Sequence, residues 1–151
     1  MKEGQKVAIV TGAGTGVGKA VAQIFLQHGY CVALAGRREE LLHSAVSEAG
    51  ADSQSTLCQQ TDVGCEEDVD SLFDATVDRF GRIDVLFNNA GIGARPVDID
   101  ELPLAEWQAV LNTNVHGAYL CARRAFGQMK SQDPKGGRII NNCSISASMP
   151  R

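Results

Sequence analysis

The sequence predicts an α/β fold, a doubly wound parallel sheet of about five strands and four helices, on three observations. Short apolar runs recur along the chain without the alternation of a half-exposed strand, as expected where both faces of a strand are buried. Longer segments between them carry apolar residues at i, i+3, i+4 and i+7, the period of an amphipathic helix. Glycines stand just past three of these segments, where a left-handed helix end needs them. Parallel strands require crossover connections, so this alternation builds a sheet covered by helices.

The first strand is residues 6–10, and a glycine-rich turn leads from it into a helix with apolar positions at 17, 20, 21, 24 and 25. Residues 31–35 form the second strand, followed by a helix with apolar positions at 41, 42, 45, 46 and 49. A weaker third strand, 55–59, precedes a helix carrying 69, 72, 73, 77 and 80, with Thr76 on the same face. The fourth strand is 83–87. A long fourth helix over about 103–129 places Trp107, Leu111, Val115, Ala118, Ala122 and Phe126 on one stripe, with Trp107 and Phe126 read as core. Residues 138–141 are the fifth strand, and Gly29, Gly50 and Gly81 end the first three helices. No repeat or linker interrupts the chain, so residues 1–151 read as one domain.

Composition narrows the function classes. With 14 Lys and Arg against 18 Asp and Glu, the formal charge is -4 and offers no basic field for nucleic acid. No run approaches the roughly 18–20 apolar residues of a membrane span, and residues 7–10 are too short for a secretory apolar region. The cysteines, at 31, 58, 65, 121 and 143, are odd in number and form no C-x-x-C pair. They read as reduced, mostly buried thiols of a cytoplasmic protein. His28 and His43 fall on exposed helical positions and His116 has no partner at metal spacing, so no metal site is expected.

The first strand ends in Thr11-Gly12-Ala13-Gly14-Thr15-Gly16-Val17-Gly18, and a helix begins at once. Glycines let the backbone turn sharply and approach a ligand, while the helix start offers unpaired N–H groups to a phosphate. The spacing is T-G-x-x-x-G-x-G rather than G-x-G-x-x-G. In this the sequence resembles the short-chain dehydrogenase/reductase family, and later segments extend the likeness in order. Asp62-Val63 follows the third strand, Asn88-Asn89-Ala90-Gly91 the fourth, Asn114 lies in Trp107-x6-Asn114-Val115-x-Gly117, and the fifth strand runs on to Ser144.

The resemblance implies a Rossmann-like NAD(P)-binding domain of an oxidoreductase. In its full-length form, such an enzyme passes a hydride between a nicotinamide cofactor and a small-molecule carbonyl or secondary alcohol, commonly as a homo-oligomer. Thr11, Gly12, Gly14, Thr15, Gly16, Val17 and Gly18 would cradle the diphosphate; Asp62, with Val63, would accept from the adenine amino group; and Asn89, Ala90 and Gly91 would lie beside the riboses. A turn or helix-capping role is the plainer reading of Asp62. Asn114 would hold a water in a proton relay, and its place on the apolar stripe independently demands hydrogen bonds, since an unpaired buried amide costs about 1–3 kcal/mol. Ser144 would hydrogen-bond the substrate carbonyl, with Ser146 second in line. Gly36 stands where NAD-preferring relatives carry an acid, and Arg37 and Arg38 follow, which favours NADP(H) over NAD(H). A solvated pair opening the second helix beside Glu39 and Glu40 is the other reading of these arginines, and Thr15 is neutral where some NADP-specific relatives carry a base.

The family pattern breaks at its catalytic pair, Tyr-x-x-x-Lys. Tyr30 is followed four positions on by Leu34, and Tyr119 by Arg123. In the family's strand order, 3-2-1-4-5-6, the fifth strand is internal, whereas here it would form an edge. The expectation is an N-terminal portion truncated before the catalytic pair, able to bind cofactor but not to transfer hydride. A non-catalytic NADP-binding module and a non-functional shortened isoform are the alternatives.

Overall fold

Strands β1 (Val7–Thr11), β2 (Cys31–Gly36), β3 (Thr56–Gln60), β4 (Val85–Asn88) and β5 (Arg138–Asn141) pair in parallel in the order β3-β2-β1-β4-β5. The structure is a computed structural model that describes residues 4–144. Helices α1 (Gly16–Gln27), α2 (Glu39–Glu48) and α3 (Glu66–Phe80) connect the first four strands. The expected fourth helix is one helical run in three parts: α4 (Leu104–Leu111), a π-helical segment (Asn112–Gly117) and α5 (Ala118–Ser131).

Alternation along the strands divides the core into two layers. Ile9, Ala33 and Leu86 pack with Phe73 of α3 and Leu120 and Ala125 of α5. Their neighbours Val10, Val32, Leu34 and Phe87 pack on the other side, with Ala22 of α1 and Leu42 and Ala45 of α2. Helices on both faces bury both sides of the central strands, which is why these read as unbroken apolar runs. Gly29, Gly50 and Gly81 take positive φ values of 79°, 61° and 76° just after their helices, as the sequence predicts.

Two helices present a different face from the expected one. In α1 the buried residues are Gly18 and Ala22, supported by Val21, Phe25 and Leu26, while Val17 and Ile24 are exposed. In the long helical run the buried stripe is Gly117, Leu120, Cys121, Ala125 and Met129. Trp107 and Phe126, expected in the core, are 48% and 65% exposed. In both cases a glycine seats the helix against its neighbour, and glycine adds nothing to an apolar count. The cysteines are free, but only Cys31 and Cys121 are buried; Cys58 and Cys65 are half-buried and Cys143 is exposed. Among the described residues no helix is long and apolar enough to cross a membrane, and no group of three or more His, Cys, Asp or Glu could hold a metal.

The end of the sheet away from the glycine turn is closed by polar side chains. Ile83 and Asp84 stand outside β4: both backbone groups of Ile83 are taken by Gln132, while those of Asp84 bond to Val7 and Arg138. The Asp84 carboxylate accepts the Val7 N–H at 2.9 Å and the Arg82 fork, which raises the Arg82 pKa. Gln132, buried at the end of α5, accepts the Ile83 N–H at 3.0 Å and donates to the carbonyls of Ile83 and Gly136, both at 2.9 Å. Gln132→Ala leaves both polar groups of Ile83 without these partners and is expected to lower stability by about 2–3 kcal/mol, read from urea denaturation midpoints. Burial pushes the Cys121 thiol up to about 12, so iodoacetamide at pH 8 should modify Cys143 first and reach Cys121 only on unfolding, as followed by peptide mass mapping.

Candidate functional site

From β1 the chain winds both ways, with β2 and β3 on one side and β4 and β5 on the other. Loops leaving the carboxyl ends of strands diverge at such a reversal and open a crevice. A cavity of about 350 Å³ lies there. Thr11 holds the two central strand ends together beneath it. It is fully buried, its Oγ1 accepts the N–H groups of Asn89 at 2.9 Å and Ala90 at 3.0 Å, and its carbonyl accepts from Asn89 Nδ2 at 3.0 Å. The structure therefore places Thr11 behind the cavity wall and not among the residues that line it.

The glycine turn forms one wall. Gly12 takes φ +66°, and a Cβ there would come within 2.9 Å of Asn89 Nδ2. A Cβ on Gly18 would meet the Gly12 carbonyl oxygen at 2.3 Å, so α1 starts directly against the turn. Gly12, Gly14, Thr15 and Val17 line the cavity, whereas Gly18 packs behind Gly12 and Gly16 is exposed with open space around it. Like α2 and α3, the α1 start has no side-chain capping bond, but unlike them it carries no acidic residue in its first turn. Its first N–H groups and the positive end of its dipole are thus left for an anion.

Gly36, Arg37 and Arg38 form the rim at the end of β2. Both arginines are exposed, and among the described residues neither has an ion-pair partner. Gln60 fixes the backbone beneath them by donating from Nε2 to the Arg37 carbonyl at 3.0 Å. Beside this rim, at the end of β3, stand Thr61, Asp62 and Val63, with the Thr61 N–H donating to the Gly36 carbonyl at 3.0 Å. The Asp62 carboxylate accepts the Gly64 N–H at 2.9 Å through Oδ1, so this side chain both makes the turn and faces the cavity.

Asn89, Ala90 and Gly91 line the remaining wall with Ile92. Asn114 is exposed rather than buried, together with Trp107, Leu111, Val115 and Phe126 of the expected stripe. Its amide is nonetheless fully engaged: Oδ1 accepts the Ile92 N–H at 2.9 Å and Nδ2 donates to the Ile92 carbonyl at 2.8 Å. Ser144 is exposed, three residues beyond β5, and does not line the cavity; Ser146 lies outside the described residues. Five lining residues were not expected: Leu41, Leu42, Thr61, Ile92 and Thr113. The leucines carry an apolar signal, but one that reads as core; Thr113, beside Asn114, carries none.

Uncapped helix N–H groups and two guanidinium groups without an ion-pair partner among the described residues can donate to a phosphate, beside a carboxylate that accepts and an apolar patch at Leu41 and Leu42. Residues 6–151 match the family model for short chain dehydrogenase. The chain is 37% identical over 146 residues to secoisolariciresinol dehydrogenase of Forsythia intermedia, covering 95% of this chain and 51% of that protein. It is 38% identical over 145 residues to 3-oxoacyl-[acyl-carrier-protein] reductase of Synechocystis, covering 95% and 58%. The chain thus spans little more than half the length of these relatives. Among solved structures, 3-ketoacyl-(acyl-carrier-protein) reductase from Brucella melitensis complexed with NADH superposes with a TM-score of 0.90 at 32% identity, covering 97% of this chain and 59% of that one. An actinorhodin polyketide ketoreductase variant with NADPH superposes at 0.88 and 29% identity, covering 97% and 56%.

The backbone contact at Gly18 gives a direct test. Gly18→Ala must displace the Gly12 carbonyl, and we expect a loss of about 1–3 kcal/mol in urea unfolding. Gly127→Ala, on the exposed side of α5 with open space around it, should instead stabilise by about 0.5–1 kcal/mol. Equal effects from the two substitutions would contradict the close approach.

Proposed function

The chain belongs to the short-chain dehydrogenase family, and from that premise we propose that it holds the cofactor of an oxidoreductase that prefers NADP(H) to NAD(H). The observation that carries the preference is the Arg37–Arg38 pair, without an ion-pair partner among the described residues, on a rim where Gly36 supplies no carboxylate. A guanidinium binds a 2′-phosphate through two charge-assisted hydrogen bonds, whereas an aspartate there would repel it. One solved relative is complexed with NADH and another with NADPH, so the fold accommodates either cofactor and Arg37 and Arg38 carry the preference.

In this reading the glycine turn and the α1 start hold the diphosphate, Asp62 and Val63 hold the adenine end, and Asn89, Ala90 and Gly91 present backbone groups to the riboses. The reduced dinucleotide would supply a hydride to a carbonyl substrate, and the oxidised form would accept one from a secondary alcohol. Ser144 would donate a hydrogen bond to the substrate oxygen, and Asn114, by gripping Ile92, would hold the loop beside Gly91. No Tyr-x-x-x-Lys occurs in the 151 residues, so we assign cofactor binding to them and turnover to a form that also carries that pair. Leu104, Trp107, Val115, Tyr119 and Phe126, all exposed on the long helical run, support self-association of such a form.

NADPH and NADH titrations followed by nicotinamide fluorescence test the reading. The 151-residue chain should bind NADPH more tightly and turn over no carbonyl substrate. Arg37→Asp should cut the NADPH:NADH affinity ratio roughly 10- to 100-fold, the worth of a charge-assisted hydrogen bond of about 1.5–3 kcal/mol. An unchanged ratio would refute the phosphate-binding role of Arg37.

A further inference from the structure

The π-helical segment Asn112–Gly117 touches the Asp62–Gly64 turn at two points, of which the Asn112 contact falls at a position that no motif specifies. Asn112 Nδ2 donates to the Gly64 carbonyl at 3.3 Å and occupies the space of a Gly64 side chain, since a Cβ there would lie 2.2 Å from that nitrogen. Gly117 packs against Val63, where a Cβ would come within 2.6 Å of Val63 Cγ2 and 2.9 Å of the Val63 carbonyl oxygen. In an α-helix, residues five apart diverge by about 140°, at 100° each. The i→i+5 pattern of a π-helix brings them back towards one face. The π conformation thereby lets Asn112 and Gly117 meet the same turn.

We propose that Asn112 is a positioning residue for the adenosine end of the bound dinucleotide: its amide, set against Gly64 by the π-helical segment, fixes the turn that aims Asp62 into the cavity. The inference rests on the dinucleotide reading of that cavity. The turn is held from three sides. Gly64 N–H donates to Asp62 Oδ1 at 2.9 Å, Asp62 N–H donates to Asp68 Oδ2 at 2.8 Å, and Asn112 holds the Gly64 carbonyl. With Oδ1 engaged, the Asp62 carboxylate cannot swing without breaking the turn, and Oδ2 has no partner among the described residues. Thr113, the next residue of the π-helical segment, lines the cavity itself, so the segment that carries the clamp borders the space the ligand would fill. Asn114 grips Ile92 on the opposite wall, which leaves the Gly64 side to Asn112.

The test separates the two ends of the cofactor. NADPH, adenosine monophosphate and nicotinamide mononucleotide are titrated, by fluorescence for the first and ligand-observed NMR for the others, against the chain and its Asn112→Ala variant. We expect NADPH and adenosine monophosphate to bind about five- to tenfold more weakly to the variant, the worth of one hydrogen bond of about 1 kcal/mol, with nicotinamide mononucleotide unchanged. Unchanged adenosine monophosphate binding, or an equal loss for both mononucleotides, overturns the positioning role while leaving the dinucleotide reading intact. Failure of the unsubstituted chain to bind NADPH overturns both. Asn112→Asp keeps the shape and removes the donor, so it carries the same expectation should Asn112→Ala not melt cooperatively.

Discussion

A contact between two stretches of backbone sets the geometry of the site. The start of α1 lies so close to the turn it leaves that a Cβ at Gly18 would sit 2.3 Å from the Gly12 carbonyl oxygen and 2.5 Å from Asn89 Nδ2. Only glycine permits that approach, and it brings the positive end of the α1 dipole to the crevice between β1 and β4. Thr11 then joins the two strand ends, accepting from the Asn89 and Ala90 N–H groups through one hydroxyl. Gly117 repeats the device where the long helical run meets Val63. The cavity is thus bounded by backbones that meet at glycines, and its side-chain chemistry is hung on those contacts.

The distribution of charge matters more than its sum. The chain is acidic overall, but much of the acid lies on α3, where Glu66, Asp70 and Asp74 pair with Arg123 and Arg124 of α5. These pairs tie two helices on one face of the sheet, whereas Arg37 and Arg38 have no ion-pair partner among the described residues. Near the α1 start the first turn carries no acid, while the first turns of α2 and α3 carry two and three. A net charge of -4 argues against a polyanion partner and says nothing against one small phosphate-bearing ligand.

Much of the fold was legible because the strands are apolar on both faces and the helices are amphipathic. The turn residues were legible because a strand that turns straight into a helix needs glycine where the two backbones meet. What escaped has a common physical origin. The face of α1 and of the long helical run was misread by about one residue, because Gly18 and Gly117 make the closest contacts and contribute no hydrophobic signal. Trp107 and Phe126 outweighed them in the pattern and are exposed. Thr61 and Thr113 reach the cavity through strand register and through a π-helical turn, neither of which leaves a periodicity to read. Asn114 was picked out correctly as an amide that must be bonded, yet its partner, the Ile92 backbone, is set by a loop with no regular pattern.

On the proposed reading, holding a cofactor and reacting with it are separable, and the sheet shows why. The expected cofactor contacts come from the ends of β1 to β4, which are braced on both faces by α1, α2, α3 and α5. The β5 side is braced less. Ile139 packs against the core while Ile140 is 40% exposed, and β5 has no neighbour on its outer edge among the described residues. Ser144 follows that edge, and Asn142 ties the segment back, donating from its amide to Asn89 and from its backbone to the Asn88 carbonyl. A serine that must meet a substrate oxygen to within a few tenths of an ångström needs a rigid support. A phosphate held by several N–H groups and a guanidinium tolerates more. Nucleotide affinity should therefore survive weakening of the β5 edge that would abolish the alignment of Ser144.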